Sequence, residues 1–349
     1  MTTENSAREN RASPTGADAP NLAIDAGDVL GSGHLDETTI ASGVDVDREF
    51  TVESKTQRQL VISRFFRHRL AMISLAVLIG MILLAYVGLP LWKYPHDVSG
   101  TLENGGSPTL DVVPWFDGDG LALGEHPFGQ DNIGRDYFAV TLRGAQQSLL
   151  IAAVAGLLAT FIGTVVGGLA GFYRGWVDTV LMRFVDVLFT IPLLLVAAVL
   201  GRVVESGSFM VTALIIALAS WLTTSRVIRA EFMSLREKEF VEAARAMGAS
   251  NSRIMWKHIL PNVIGSVIVL GTLLISAAIL VETALAYLGL GGGSISLGRQ
   301  VSTYQTAFNT RPWLFWWPGL FIVTIALCIN FIGDGLRDAF DPRQTRVRQ

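Results

Sequence analysis

Lysine is almost missing from this sequence: Lys55, Lys93, Lys238 and Lys257 stand against 23 arginines. None of the four follows a glycine, so the Gly-Lys-Ser/Thr turn that wraps nucleotide phosphates is absent, and the chain is not expected to hydrolyse ATP itself. Cysteine is rarer still. Cys328 lies alone in an apolar run, which excludes a disulfide framework and a thiol metal site. His34, His68, His96, His126 and His258 form no His-x3-His or His-Glu-x-x-His pair, so no metal site follows. Charged side chains make up 16% of the residues while half are hydrophobic. At 349 residues that leaves too much apolar surface for a soluble domain and implies a polytopic membrane protein. The net charge of −3 gives no reason to expect nucleic acid as a partner.

Long uncharged runs are what the sequence has instead. Residues 1–54 are rich in Ala, Gly, Ser, Thr, Asp and Glu without apolar periodicity, and read as a disordered tail. A basic juxtamembrane segment, 55–69, follows. No signal peptide is visible, because the first long apolar run starts only near Leu70. The 22 residues Leu70–Leu91 carry no charge and are long enough to cross a hydrocarbon core, which needs about 20. Further spans are expected at Gly144–Tyr173, about Trp176–Gly201, Ser206–Ser225, Ile259 to about Tyr287, and Pro312–Gly333. Gly156, Gly163, Gly167, Gly168 and Gly171 in the second would let another helix approach closely. Trp313, Trp316 and Trp317 open the last as an interfacial belt. The fold class is therefore all-α, a six-helix integral membrane protein with a permease core over 144–343 and a short tail, 344–349.

With six spans both termini share a side. That side carries 21 of the Lys/Arg and the other six, so the termini are expected in the cytoplasm, together with the loop 226–261 between the fourth and fifth spans. The 92–143 connector then lies outside, with eight Asp/Glu and three Lys/Arg.

The loop from Lys238 to Pro261 is the longest charged segment in the apolar half. Glu242, Ala243, Ala244 and Met247 favour helix, and Gly248 ends it and turns the chain. A second short helix is expected next, with Pro261 starting a new one. Seven Lys/Arg against four Glu also suit a loop resting on anionic lipid. Glu242-Ala243-Ala244, Gly248 six positions later, and Leu260-Pro261 resemble the EAA loop of ATP-binding-cassette (ABC) importer permeases, with His258 where isoleucine is usual. The resemblance implies a coupling helix docked on a cytoplasmic ATPase, Glu242 near a basic residue there.

Further motifs extend the resemblance from about residue 60 onward. His126-Pro127-Phe128-Gly129-Gln130-Asp131-Asn132-Ile133-Gly134-Arg135-Asp136 is similar to a stretch of dipeptide and oligopeptide permeases, with Gln130 in place of Thr; read from the residues alone it is an Asp/Gly turn cluster, and it lacks the calcium-hand register. Gly175-Trp176-Val177-Asp178, Leu288-Gly289-Leu290-Gly291, Trp317-Pro318-Gly319 and Gly333-Asp334-Gly335-Leu336-Arg337-Asp338, closing with Asp341-Pro342-Arg343, look like the same family. The usual Pro-Ser-Trp-Gly is replaced by Ser296-Leu297-Gly298. The resemblance implies the second permease of a peptide importer, partnered by a homologous permease, two ATPase subunits that hold ATP and Mg, and an extracytoplasmic binding protein. No cofactor is expected on this chain. A nickel chelate, glutathione or a sugar as cargo, and a stand-alone secondary transporter, are the rival readings. Glu282 is an intramembrane charge that either lines the translocation path or hydrogen-bonds a neighbouring helix near the outer interface. Asp178, Arg183 and Asp186 have helical spacing and are expected to pair with one another.

Overall fold

The computed structural model describes residues 56–110, 124–203, 208–290 and 295–341. The tail expected over 1–54, part of the long connector, Gly291 and the 342–349 end lie outside the described residues. Ten helices organise what is described: α1 Gln57–Arg67, α2 Arg69–Leu91, α3 Tyr137–Tyr173, α4 Gly175–Phe189, α5 Leu193–Val203, α6 Phe209–Arg236, α7 Glu239–Ala246, α8 Asn251–Tyr287, α9 Leu297–Tyr304 and α10 Trp313–Phe340. Five of them (α2, α3, α6, α8 and α10) are long and apolar enough to cross a membrane, and six spans result if α4 and α5 count as one.

That pair corrects the expected third span. Pro192 has no N–H to continue a helix and pushes Ile191 out of the helical region, so α4 stops at Phe189 and the chain resumes after an 82° bend. The bend leaves an apolar cavity of about 320 Å³ between Phe184, Leu188, Val196, Trp221 and Leu222. The second span also begins earlier than Gly144. Asp136 accepts a hydrogen bond from the Ala139 N–H (2.8 Å) and caps α3 at Tyr137, because a helix can continue past a charge such as Arg143 once it has left the hydrocarbon. α6 likewise runs through Arg226 and Arg229 to Arg236.

α3 is the central post. α6 packs along it in parallel and α8 in antiparallel sense. A row of glycines permits this: a Cβ on Gly163 would stand 2.7 Å from Thr224 Cβ, and on Gly171 2.5 Å from the Arg229 carbonyl oxygen. Backbones that close bury their contact without large side chains, as membrane interfaces require. α2 leans mainly on α10.

At the end where α3 starts, the loops are knitted into a buried polar knot. Fully buried Asp131 accepts from the Ile133 and Arg135 N–H groups (3.0 and 2.9 Å), from Arg135 Nε (2.6 Å) and from the Tyr304 hydroxyl (3.2 Å). Burial, then the Asp131 carboxylate, push the Tyr304 phenol up to about 12, so it stays a donor. Asp136 accepts from Trp92 Nε1 (3.1 Å) and meets His126 Nδ1 at 2.7 Å, while Gln130 accepts from the Glu103 N–H and donates to the Thr101 carbonyl. The Asp/Gly cluster of the sequence is thus a scaffold tying the connector to α3, α9 and α10. Phe128 stacks on Trp317 beside it, ring centroids 3.9 Å apart.

Candidate functional site

At the opposite end, α7 and the start of α8 form a hairpin. Val241 and Ala244, three apart, are buried against Phe172, Ile228, Phe232, Ile254 and Ile259, so one stripe of α7 is sealed to the ends of α3, α6 and α8. The other stripe is open: Glu239, Phe240, Glu242, Ala243, Arg245 and Met247 are exposed, Met247 at 80%. Among the described residues Glu242 makes no side-chain bond. The turn is built by Gly248 at φ +80°, with its N–H on the Arg245 carbonyl and the Ala249 N–H on the Ala244 carbonyl, both 3.0 Å. A Cβ there would meet nothing within 4 Å, so backbone conformation alone calls for glycine. Ser250 then caps α8, accepting from the Arg253 N–H at 3.4 Å.

Beyond the turn the structure departs from expectation. No second short helix ends before Pro261. α8 is one helix of 37 residues from Asn251 to Tyr287, and a π turn over Ile254–Ile259 widens it just ahead of the proline. The π turn provides the room that a proline ring and its missing N–H need inside a helix. Leu260 is half-buried and Pro261 exposed; the His258 carbonyl accepts from Asn262 Nδ2 at 2.7 Å.

Behind the hairpin, ion pairs fix α4 to α6, and here a second expectation is corrected. Asp178 takes both Nε and Nη2 of Arg229 (2.5 and 2.6 Å), and Asp186 takes Arg226 (2.8 Å). Arg183 is exposed and pairs with neither. The acids lie on the face of α4 that meets α6, and Arg183 points elsewhere. Arg174, at φ +56° in the α3–α4 corner, reaches the Met233 carbonyl (3.1 Å) and Glu237 (2.6 Å). Arg236 donates to the Phe172 carbonyl at 2.6 Å. Arg226 and Arg229 enter the sequence reading only as loop charges; their spacing of three on one helix face is the signal for a paired role.

Near the far end of α8, Glu282 is 1% exposed, accepts from the Ser148 hydroxyl on α3 (3.0 Å), and does not face an open path in this structure. Ser148 Oγ in turn accepts from the Leu297 N–H at 3.2 Å, at the start of α9. Gln300 continues the clamp, donating to the Val140 carbonyl at 2.9 Å. Ser148 and Gln300 carry no sequence signal of this kind, because only the fold brings α9 over α3. One helix therefore runs from the hairpin to the polar clamp under α9. Among the described residues no three His, Cys, Asp or Glu gather as a metal site.

Spanning helices around a central post, with a charged hairpin at one end, define a polytopic membrane bundle, the architecture on which transport permeases are built. Residues 163–346 match the binding-protein-dependent transport system inner membrane component, and residues 56–104 match the N-terminal TM domain of oligopeptide transport permease C. The oligopeptide transport system permease protein OppC of Mycobacterium tuberculosis is 38% identical over 300 residues, 85% of this chain and 98% of that one. A putative peptide permease protein of Brucella ovis is 38% identical over 287 residues (80% and 89%), and OppC of Bacillus subtilis 34% over 282 (80% and 88%). A chain of the MetNI methionine ABC transporter, inward facing, aligns at TM-score 0.49 and 19% identity over 58% of this chain and 96% of that one, too remote to carry inference. The chain belongs to the binding-protein-dependent transport inner membrane components, as an ABC importer permease subunit of the oligopeptide type, and is a multi-pass protein of the bacterial plasma membrane.

Proposed function

We propose that this chain is one of two permease subunits that carry dipeptides or oligopeptides inward, powered by ATP and Mg held on two cytoplasmic ATPase partners. A homologous permease completes the path. An extracytoplasmic binding protein delivers the peptide to the knotted outer face. The chain itself carries no ATPase site.

The observation that carries this reading is the fusion of the hairpin to α8. A surface of Glu242, Ala243, Arg245 and Met247, anchored by Val241 and Ala244, is continuous with a helix that ends at the Glu282 clamp. ATP-driven movement of a docked partner can shift the equilibrium between outward- and inward-open states only as far as its contacts differ between them. This hairpin supplies such contacts, and α8 carries the displacement across the membrane as a rigid body. Sidedness is supported by charge: among the described residues the hairpin end holds 14 Lys/Arg and the opposite end six. Arg64 donates to the Asp341 carbonyl (3.1 Å), which puts the start of α2 and the end of α10 together. Gly265 lies against Phe340, which adds the hairpin half of α8 to that end.

The test is co-purification of the tagged chain with its neighbours, native against Glu242→Arg with Gly248→Pro. Proline cannot adopt the positive φ at 248, and the charge reversal meets the partner directly. The variant is expected to bring down at least roughly tenfold less ATPase activity while keeping the second permease. Equal recovery, or peptide uptake by the chain alone without ATP, would sink the reading.

A further inference from the structure

The docking hairpin leaves a second surface at the same end without a role. Between residues 55 and 69 the sequence has Lys or Arg at 55, 58, 64, 67 and 69 and no Asp or Glu. Within it α1 folds on a Thr56 cap and stops at His68, whose extended backbone (φ −82°, ψ 95°) breaks the helix. His68 Nδ1 then accepts from the Ala71 N–H at 3.1 Å and starts α2. One residue thus separates α1 from a membrane span, which holds α1 at the bilayer surface whatever else the chain does.

The two faces of α1 differ. Val61, Arg64, Phe65 and His68, spaced three and four apart, turn toward α10: Arg64 Nη1 bonds the Asp341 carbonyl, and His68 Nε2 stands 3.6 Å from Asp338. This protein contact sets how α1 is rolled. Among the described residues nothing covers the opposite face. Ile62 and Phe66, four apart, are 56% and 61% exposed, and Ser63 and Arg67 form the exposed ridge beside them, with Arg69 exposed at the mouth of α2. An apolar ridge flanked by arginines, at bilayer depth and with no carboxylate of its own element, matches the chemistry of an anionic leaflet.

The geometry points to α1 as an interfacial helix that binds anionic phospholipid headgroups through Arg67 and Arg69, with Ile62 and Phe66 seated at the acyl boundary. Because Arg64 and His68 hold α10 from the other side, the lipid contact clamps the end of α10 to the leaflet. The inference rests on α2 crossing the bilayer and is independent of ATPase docking.

The experiment uses the full chain with Cys328→Ser and a bimane label on Ser63→Cys, reconstituted in vesicles of phosphatidylcholine with brominated phosphatidylglycerol or brominated phosphatidylcholine as quencher. The native arginines are expected to give quenching that favours brominated phosphatidylglycerol by roughly fivefold for each arginine engaged. Arg67→Gln with Arg69→Gln is expected to abolish that preference while leaving quenching by both lipids, since the apolar ridge stays seated. Ile62→Ser with Phe66→Ser should lower quenching by both. A label unquenched by either lipid places α1 in water, and equal quenching by both in the native chain removes the anionic selectivity; either result overturns the inference. Co-purification of the ATPases reads separately and is expected to be unchanged in the arginine variant.

Discussion

Two buried or strained side-chain positions carry consequences out of proportion to their size. Gly248 sits at φ +80° with open space where a Cβ would go, so the effect of substitution is conformational and not steric. Gly248→Ala is expected to weaken the hairpin by about 1–2 kcal/mol and Gly248→Asn by less, because asparagine tolerates left-handed backbone. Hydrogen exchange of the amides from Glu239 to Arg253 in the purified chain would show it as several-fold faster exchange in the alanine variant alone. Glu282 is the other. Its carboxylate accepts a hydrogen bond from the Ser148 hydroxyl, and Ser148 Oγ accepts one from the Leu297 N–H. Glu282→Gln keeps an acceptor there, and peptide uptake is expected to retain its affinity and rate. Glu282→Ala leaves a buried hydroxyl without its acceptor and is expected to lower stability by about 1–3 kcal/mol. A thermal melt in detergent alongside the uptake assay separates the two; a loss of affinity in the glutamine variant would return Glu282 to the substrate path.

At the level of helices, the pairing of α4 with α6 is the most direct check on the fold. A double-mutant cycle of Asp178→Ala with Arg229→Ala is expected to show coupling of about 1–3 kcal/mol, because the bidentate pair is only partly exposed. The cycle of Asp178→Ala with Arg183→Ala should show none, and that of Asp186→Ala with Arg226→Ala under about 1 kcal/mol, both of its side chains being about half exposed. The spans themselves were legible, since runs such as Leu70–Leu91 and Pro312–Gly333 are set by length and hydropathy alone. Their ends were less so: Arg143 and Arg226 look like boundaries in sequence, yet helices continue through them. The ion pairs were misassigned for a related reason. Spacing along α4 offers Arg183 as the neighbour, and only the packing of another helix shows that both acids face away from it. Glycines at 163, 167 and 171 were the exception, a tertiary contact readable in advance because close approach demands small residues. Gly163→Leu is expected to push α6 off α3 at a cost of about 1–3 kcal/mol or more, read as a lower melting temperature.

Across the described molecule, a knotted loop end and an open hairpin end are joined by one helix. The turn chemistry around Gly248 was readable in sequence as a hinge, and the Asp/Gly cluster over 126–136 as turns. Neither reading foresaw that Asp131 and Asp136 would bind connector, α3, α9 and α10 into one unit, because those partners lie more than a hundred residues away in part. Amides around the knot are expected to exchange slowest and those of the hairpin fastest in the free chain. Added ATPase should protect the hairpin first. A pattern in which α7 is already protected alone would mean that its exposed stripe is covered by the chain itself.

The π turn over Ile254–Ile259 has a further effect on that helix. A π turn amounts to one residue more than an α-helix would use, and each residue of an α-helix advances the phase by about 100°. Everything on the far side of the turn, Gly248 and the Glu242 face included, is therefore rotated about the α8 axis by one residue's worth relative to Glu282. The compass bearing of the hairpin is set by a single inserted position. A chain one residue shorter between Ile254 and Ile259 would close into plain α-helix and keep that bearing, whereas the present residues wound without the π turn would swing every surface side chain of α7 by about 100°, to the wrong quarter of the horizon.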